Sequence, residues 1–465
     1  MDNRQQSTPK TGEGVPAWFL KNLVFPVGDR WLGQPMMRRL RFLEEAQWWP
    51  IERLLEERNR RLVALMDTIY REVPFYRGWM DAAQMRPEDI RTPADLVRVP
   101  VVDKETLRRS YPARVVRATS SRAYESCTSG STGAAFRFRT DRETFGICRA
   151  SFLLALQWAG WRFGERHMQF GMNFPRDLAR RMKDRALRCH YMPANELQPA
   201  HLDAHLELLE RHGVRHVWGY PGSVYCLACR AAERGWNRPL ASVVTWGDNL
   251  HRHYRTAIER AFGTRVCDTY GCGEGMQVAA QCGAGVYHVH MLDVIVEFVD
   301  AHGQPVPAGE VGDVLLTRLH PGPMPFVRYR VGDIGVGGLG RPCPCGRGFQ
   351  TLESIEGRDA EIVTTPAGNR LIVHFFTGIF EHVPEVAEFQ VRQTAADAMT
   401  IRIVPGKGFS PETIRHLQRR FQELGAADMK TEFDLVDSIP LTPGGKRRFV
   451  VREKGGPAAG GAASL

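Results

Sequence analysis

Between residues 36 and 70 the apolar positions recur at helical spacing, with Leu40, Leu43, Leu54, Leu55, Leu62, Leu65 and Met66 falling on a common stripe. Pro50 divides this stretch into two helices, because a proline inside a helix removes a backbone hydrogen bond and clashes with the preceding turn. "REVPFYRGW" ends the second helix at Pro74. From 115 to 300 short apolar runs alternate with amphipathic ones. "HVWGYP" (216–221), "SVVTWG" (242–247) and "RVCDTYG" (265–271) read as strands, and "SVYCLACRAAERG" and "LHRHYRTAIERAFG" read as the helices after the first two. Such alternation predicts a doubly wound, mostly parallel sheet. From 286 to 336 the pattern becomes strand-rich, with "HGQPVPAGEVG" as a hairpin turn.

After "EGRDAEIV" (356–363) a new unit begins, with strands at 386–392 and 399–404, a helix at 411–424 and a last strand near 431–436. The expected fold is therefore α/β, with a large N-terminal domain (15–357) of doubly wound, mostly parallel sheets and a small mobile C-terminal α+β domain (358–452). Residues 1–14 are expected to be disordered and 453–465 to form a flexible tail.

Composition narrows the function classes. A chain of 465 residues exceeds one ordinary domain, and 43% hydrophobic with 25% charged residues is average for a globular protein. No apolar run approaches the about 18 residues of a membrane span. "MDNRQQSTPKTGEGVPAWF" has no basic segment followed by an apolar core, so the expected location is cytoplasmic, with no membrane partner. Ten cysteines in so long a chain do not read as a disulfide framework. The net charge of +10 invites a nucleic-acid reading, but 62 basic residues face 52 acidic ones and no reader motif accompanies them. The basic stretches 58–62 and 176–188 read as solvated helix faces or as docks for a polyanionic small molecule.

The chemistry-bearing stretch is "ESCTSGSTGAAFRFRTD" (125–141). Successive N–H groups and hydroxyls of Thr128, Ser129, Gly130, Ser131, Thr132 and Gly133 suit phosphate oxygens, although no lysine follows as it does in a P-loop. Four phrases come after it in order: "TYGCGE" (269–274), "RYRVGD" (328–333), "EGRDAE" (356–361) and "PLTPGGKRRF" (440–449). The series resembles the adenylate-forming (acyl-CoA synthetase-like) superfamily. "YREVPFYR", "CPCGR" and the N-terminal helices look most like the phenylacetate–CoA ligase family and its relatives in capsule biosynthesis.

The resemblance implies that a carboxylate attacks the α-phosphorus of ATP and expels pyrophosphate. On that footing loop 128–133 cradles the β- and γ-phosphates and Glu274 binds Mg²⁺, a hard cation that prefers oxygen ligands. Tyr270 and Gly271 sit against adenine and acyl group, Asp333 accepts the ribose hydroxyls, and Arg358 reaches ribose or phosphate. Gly247, Asp248, Asn249 and Asp268 join the nucleotide site, while Trp218, Tyr220, Trp246 and Gly273 line the acyl pocket. Core packing explains the aromatic three almost as well. The missing lysine is Lys446, far downstream in "TPGGK" on the small domain. An ammonium on a glycine-rich loop suits a moving domain that places one point charge.

Three places depart from the family pattern: Asp248 in "TWGDNL" replaces a glutamate, Ala360 in "GRDAE" replaces the hinge acid, and "TGAAF" lacks the Lys-Pro that often follows. Neutralisation of the phosphates then falls to Mg²⁺, Lys446 and possible help from Arg137 or Arg139, which also read as the solvent face of a strand.

Cys343 and Cys345 in "PCPCGRG", with Cys282 and His288 in "QCGAGVYHVH", make a Cys₃His set for a tetrahedral structural Zn²⁺, with His290 in reserve. A reduced-thiol loop without metal is the alternative. Cys226 and Cys229 lie on an apolar helix and read as packing, as do Cys267 and Cys272. "GVGGLG" (335–340) satisfies G-x-G-x-x-G, but no helix follows, so it reads as a loop.

The leading expectation is an acid–thiol ligase that takes an aryl or arylacetic acid through an acyl-adenylate to an acyl-CoA thioester, using ATP, Mg²⁺ and coenzyme A. The 176–188 helix is a candidate dock for coenzyme A, and a homodimer is admitted. Two alternatives stay open: transfer of the acyl group to an amine, hydroxyl or carrier thiol, and a nucleotide-binding protein without catalysis.

Overall fold

The computed structural model describes residues 17–117, 123–128, 136–171, 176–194, 197, 199–358, 363–367, 370–371, 376, 379–380, 383–440 and 449–452. Helix α1 (Ala17–Phe19) runs through a wider turn at Leu20–Val24 into α2 (Phe25–Leu32). Helices α3 (Met36–Ala46) and α4 (Ile51–Glu72) follow the apolar stripe: Met37, Leu40 and Leu43 of the first and Leu54, Leu62 and Leu65 of the second are buried. Pro50 separates them as expected. Pro74 ends one helix and opens the next, α5 (Pro74–Ala82), because a first-turn proline loses no hydrogen bond. Helix α6 (Lys104–Ser110) begins where the Asp103 carboxylate accepts from the Thr106 N–H at 2.7 Å.

Strands β1 (Tyr124–Thr128) and β2 (Phe136–Thr140) pair antiparallel and flank the hydroxyl-rich loop. Along β2 the side chains alternate, with Phe136 and Phe138 buried and Arg137 exposed in an ion pair with Glu125 at 3.1 Å. Arg137 is thus a surface cation. Helix α7 (Arg142–Trp158) is capped by Asp141.

Next come β3 (His167–Gly171), α8 (Leu178–Ala186), β4 (Cys189–Pro193), α9 (Pro199–Arg211), β5 (His216–Gly219), α10 (Pro221–Glu233), β6 (Ser242–Thr245), α11 (Arg252–Phe262) and β7 (Val266–Cys272). The five strands are parallel in the spatial order β4-β3-β5-β6-β7. That order reverses between β3 and β5, and in such sheets ligands bind outside the carboxyl ends of the strands at the reversal. Strands β5 and β6 are buried throughout, as a sheet covered by helices on both faces requires.

The same sheet continues antiparallel through β8 (Met276–Gln281), β9 (Tyr287–Val289), β10 (Val294–Val299), β11 (Val311–Arg318), β12 (Tyr329–Gly337) and β13 (Thr351–Arg358), in the order β10-β11-β12-β13-β9-β8-β7. The parallel character expected from the sequence therefore stops at β7. Beyond it, short turns replace helical crossovers, and only antiparallel pairing is open to strands so joined. "HGQPVPAGEVG" is the β10–β11 hairpin turn. Arg328, buried beside β12, pairs with Glu297 at 3.0 Å and donates to the Val99 and Gly303 carbonyls, fixing this half to the N-terminal segment.

The C-terminal part begins with β14 (Val363–Thr364) and β15 (Arg370–Leu371). It then forms a four-stranded sheet, β18-β17-β16-β19, from β16 (Val386–Ala395), β17 (Ala398–Pro405), β18 (Lys430–Leu435) and β19 (Val450–Arg452). Helix α12 (Pro411–Phe421) buries Leu417 and Phe421 into the same core as Val391, Ile401 and Ile403. Strand β19 carries no alternating pattern long enough to read from sequence, since only three residues pair with β16. Among the described residues no helix is long and apolar enough to cross a membrane.

Candidate active site

Glu274 follows β7 in a tight turn whose next residue, Gly275, has φ +85, a conformation that favours glycine. The residue is 3% exposed, and a carboxyl group so buried needs hydrogen-bond partners. The Tyr329 hydroxyl of β12 donates to Glu274 Oε1 at 2.7 Å, and the Lys104 ammonium of α6 stands 3.7 Å from the same oxygen. The backbone is pinned as well. Buried Arg318 donates to the Glu274 carbonyl at 2.9 Å and to the carbonyls of His320, Pro321 and Met324. Burial, with Glu274 next to it, pushes the Tyr329 phenol and the Cys272 thiol well above their ordinary ranges, so both remain protonated.

A second bond runs in the opposite sense. The Tyr270 hydroxyl of β7 donates to Asp333 Oδ2 of β12 at 2.7 Å. Strands β7 and β12 are not neighbours in the sheet, so two tyrosine–carboxylate bonds bridge the groove between them. Asp333 lies directly across from Arg358 in the β12–β13 register. Gly271 and Gly273 present exposed backbone beside Glu274. A Cβ at Gly271 would stand 2.7 Å from the Met276 carbonyl oxygen, so the close approach of the two chains admits only glycine.

At the ends of β5 and β6 the aromatic side chains assemble. Trp246 meets the Phe152 ring of α7 edge-on at 5.4 Å, and Tyr220 lies 6.4 Å from Trp246. Gly247, with φ +77, folds against the Tyr220 ring. Asp248 accepts from the Asn249 N–H at 3.1 Å, which shapes the turn they share.

Two of the expected site residues lie elsewhere. Trp218 is fully buried, stacked 3.9 Å from His167 and edge-on to Trp161, so the packing reading holds for it rather than the pocket one. Asp268 is also buried, and both its oxygens already accept, from Thr245 Oγ1 and from the Tyr287 hydroxyl, each at 2.5 Å. Its carboxyl is pushed up to about 6 by burial, and it ties β7 to Thr245 of β6 and Tyr287 of β9 rather than offering oxygens to a nucleotide. Ser129, Gly130, Ser131, Thr132, Gly133, Asp359, Ala360, Glu361 and Lys446 lie outside the described residues, as do the side chains of Thr128 and Arg358. Sequence reasoning passed over Lys104 and Tyr329. Tyr329 lies inside the quoted "RYRVGD" and Lys104 in no quoted motif, and only the fold brings either to Glu274.

Cys282, His288, Cys343 and Cys345 converge, with ligand atoms all within 4.8 Å of one another. Cys282 and Cys343 sulfurs are 3.6 Å apart, and Cys345 Sγ is 3.2 Å from His288 Nε2. A tetrahedral zinc with Zn–S of about 2.3 Å and Zn–N of about 2.0 Å gives edges close to these. His288 Nδ1 lies 3.1 Å from the Phe349 carbonyl, which leaves Nε2 to face the cluster. His290 is not part of it; its ring stacks on Trp158 at 5.1 Å.

A doubly wound sheet extended by an antiparallel half, a buried carboxylate groove and a small α+β unit define the adenylate-forming fold class. Residues 363–453 match the family model described as CapK C-terminal domain. The chain is 28% identical to phenylacetate-coenzyme A ligase of Thermus thermophilus, over 67% of this chain and 71% of that protein. It is 26% identical to the Escherichia coli protein of the same name, over 79% and 86%, and 20% identical to Staphylococcus aureus Protein CapK, over 86% and 89%. Among solved structures, 2-hydroxyisobutyryl-CoA ligase in its postadenylation state superposes with a TM-score of 0.70 at 20% identity, covering 88% of this chain and 92% of that one. The chain shares the fold of that acyl-CoA ligase.

Proposed function

We propose that this chain is an ATP-dependent acid–thiol ligase. A carboxylate oxygen attacks the α-phosphorus of ATP, the bond to pyrophosphate breaks, and the coenzyme A sulfur then displaces AMP from the acyl-adenylate. The observation that carries this reading is the pair of opposed tyrosine–carboxylate bonds across one groove, which orient the carboxylates of Glu274 and Asp333. Asp333, an acceptor-only carboxylate, takes the ribose hydroxyls, and Glu274 is the ligand for Mg²⁺, which when bound would neutralise phosphate charge. Lys104 supplies the fixed cation that the hydroxyl-rich loop lacks, while Arg137 faces solvent with Glu125. Lys446 delivers the mobile charge from the small domain (358–452), with Arg358 at the hinge.

Trp246, Tyr220 and Phe152 suit the flat face of an aryl or arylacetic acid. Cys282, His288, Cys343 and Cys345 would hold a structural Zn²⁺ that ties β8 and β9 to the loop before β13. We place the reaction in the cytoplasm, where thiols stay reduced.

The test is pyrophosphate–ATP exchange against a panel of carboxylic acids, with Lys446→Ala alongside. Exchange that requires an acid and collapses in the variant supports the reading. Tight Mg·ATP binding without exchange for any acid would sink it. Coenzyme A set against amines in the same assay then separates the thioester from an amide product.

A further inference from the structure

Three cations with one carboxylate among them collect beside the aromatic side chains Phe152 and Trp246. Arg149 projects from α7 one turn before Phe152, with its guanidinium 5.0 Å over that ring, and Phe152 in turn meets Trp246. Among the described residues no hydrogen bond or ion pair to a carboxylate accompanies Arg149, although it is only partly exposed. Lys183 stands on the exposed side of α8; partial desolvation and then the neighbouring Arg149 cation lower its pKa, against the opposing pull of Asp184. Burial likewise pushes Arg149 below its usual range.

Arg176 completes the group, 4.0 Å over the Tyr191 ring and doubly bonded to Asp184 at 2.8 and 2.5 Å. One carboxylate therefore answers three cations. The group lies against β4, around Cys189 and Tyr191, and a Cβ on Gly171 of β3 would meet the Tyr191 hydroxyl, in the part of the sheet next to the reversal of strand order.

A solvated helix face does not account for this arrangement, because Arg149 belongs to the helix under the pocket and its charge is partly withdrawn from water. An acid whose far end is neutral leaves these charges unanswered. We infer that the acid taken by this site carries a second anionic group, a carboxylate or phosphonate, at the end remote from the carboxylate that is activated, and that Arg149 and Lys183 receive it. The inference rests on the ligase reading and narrows its substrate class from aryl acids in general to dianionic ones.

Equilibrium binding tests it apart from catalysis. Calorimetry in the presence of a non-hydrolysable Mg·ATP analogue would compare 4-carboxyphenylacetate with phenylacetate, on the native chain and on Arg149→Met, Lys183→Met and Arg149→Lys. The expected result is at least tenfold tighter binding of the dianion, a ratio falling toward one in Arg149→Met and Lys183→Met, and recovery in Arg149→Lys. Matching thermal melts would exclude misfolding. Equal or tighter binding of phenylacetate, no binding of either acid, or a ratio unchanged in Arg149→Met would overturn the inference. So would a raised KM for coenzyme A in Arg149→Met with the acid ratio intact, which would assign the cations to the thiol donor's phosphates. Acid-dependent exchange decides the ligase reading separately: phenylacetate exchanging well while the dianion fails would keep that reading and remove this one.

Discussion

Replacing Tyr329 by phenylalanine deletes one oxygen from a fully buried position and changes the shape of the groove very little. The oxygen removed donates at 2.7 Å to Glu274, which is 3% exposed and has, besides it, a lysine at 3.7 Å whose own side chain is 33% exposed. A hydrogen bond to an ionised buried group is worth about 1.5–3 kcal/mol, and a half-solvated ion pair rarely replaces it. If Glu274 holds the catalytic Mg²⁺, the loss translates into a roughly 10- to 150-fold lower kcat/KM for acid-dependent exchange. The midpoint of the Mg²⁺ titration should move upward, because the carboxylate must bind the ion without its orienting donor. KM for the acid should change little. Exchange kinetics across a Mg²⁺ series, with Glu274→Gln as the limiting case, measure all three. An unchanged Mg²⁺ midpoint together with wild-type exchange would refute the assignment of Glu274 as the metal ligand.

Three further outcomes follow from the same structure. Elemental analysis of the purified chain should find one zinc per molecule, and Cys345→Ser should lose it and melt on the order of 5–10 °C lower; a metal-free native chain that tolerates the substitution would contradict the Cys₃His site. Asp268, with its carboxyl raised to about 6 from an ordinary 3.8, favours the neutral form in the fold. Its contribution to stability is present below pH 4 and lost as pH rises through about 6, a swing of about 3 kcal/mol. The melting temperature of Asp268→Asn should therefore gain on the native chain between pH 4 and 7, and parallel curves would argue against it. Gly271→Ala drives a Cβ to 2.7 Å from the Met276 carbonyl and should cost about 1–3 kcal/mol with loss of exchange, read by melting and the same assay.

Local features of the chain were legible where one period or one short motif carries the signal. The α3 and α4 stripe, the parallel strands β5, β6 and β7 and the β10–β11 hairpin follow directly from spacing and turn residues, whereas β3 and β4 were not read. The Cys₃His set was legible because few other roles suit four such residues around a glycine-rich knuckle. Lys104 and Tyr329 were not, since each reaches Glu274 only through a contact between segments distant in sequence. Trp218 and Asp268 misled for a related reason. Trp218 stands near the end of β5 and Asp268 two residues before Tyr270 in β7, yet His167 stacks on the one and two hydroxyls occupy the other. Strand position alone does not say which face a side chain takes.

The most direct test of adenylation follows an oxygen atom. An accepted acid labelled with ¹⁸O in both carboxylate oxygens should pass one labelled oxygen to AMP during thioester formation, because the carboxylate oxygen becomes the bridge to the α-phosphorus. Label found in AMP, with unlabelled pyrophosphate, is the result this account predicts. Label in orthophosphate, or thioester formed with no label in AMP, would contradict it.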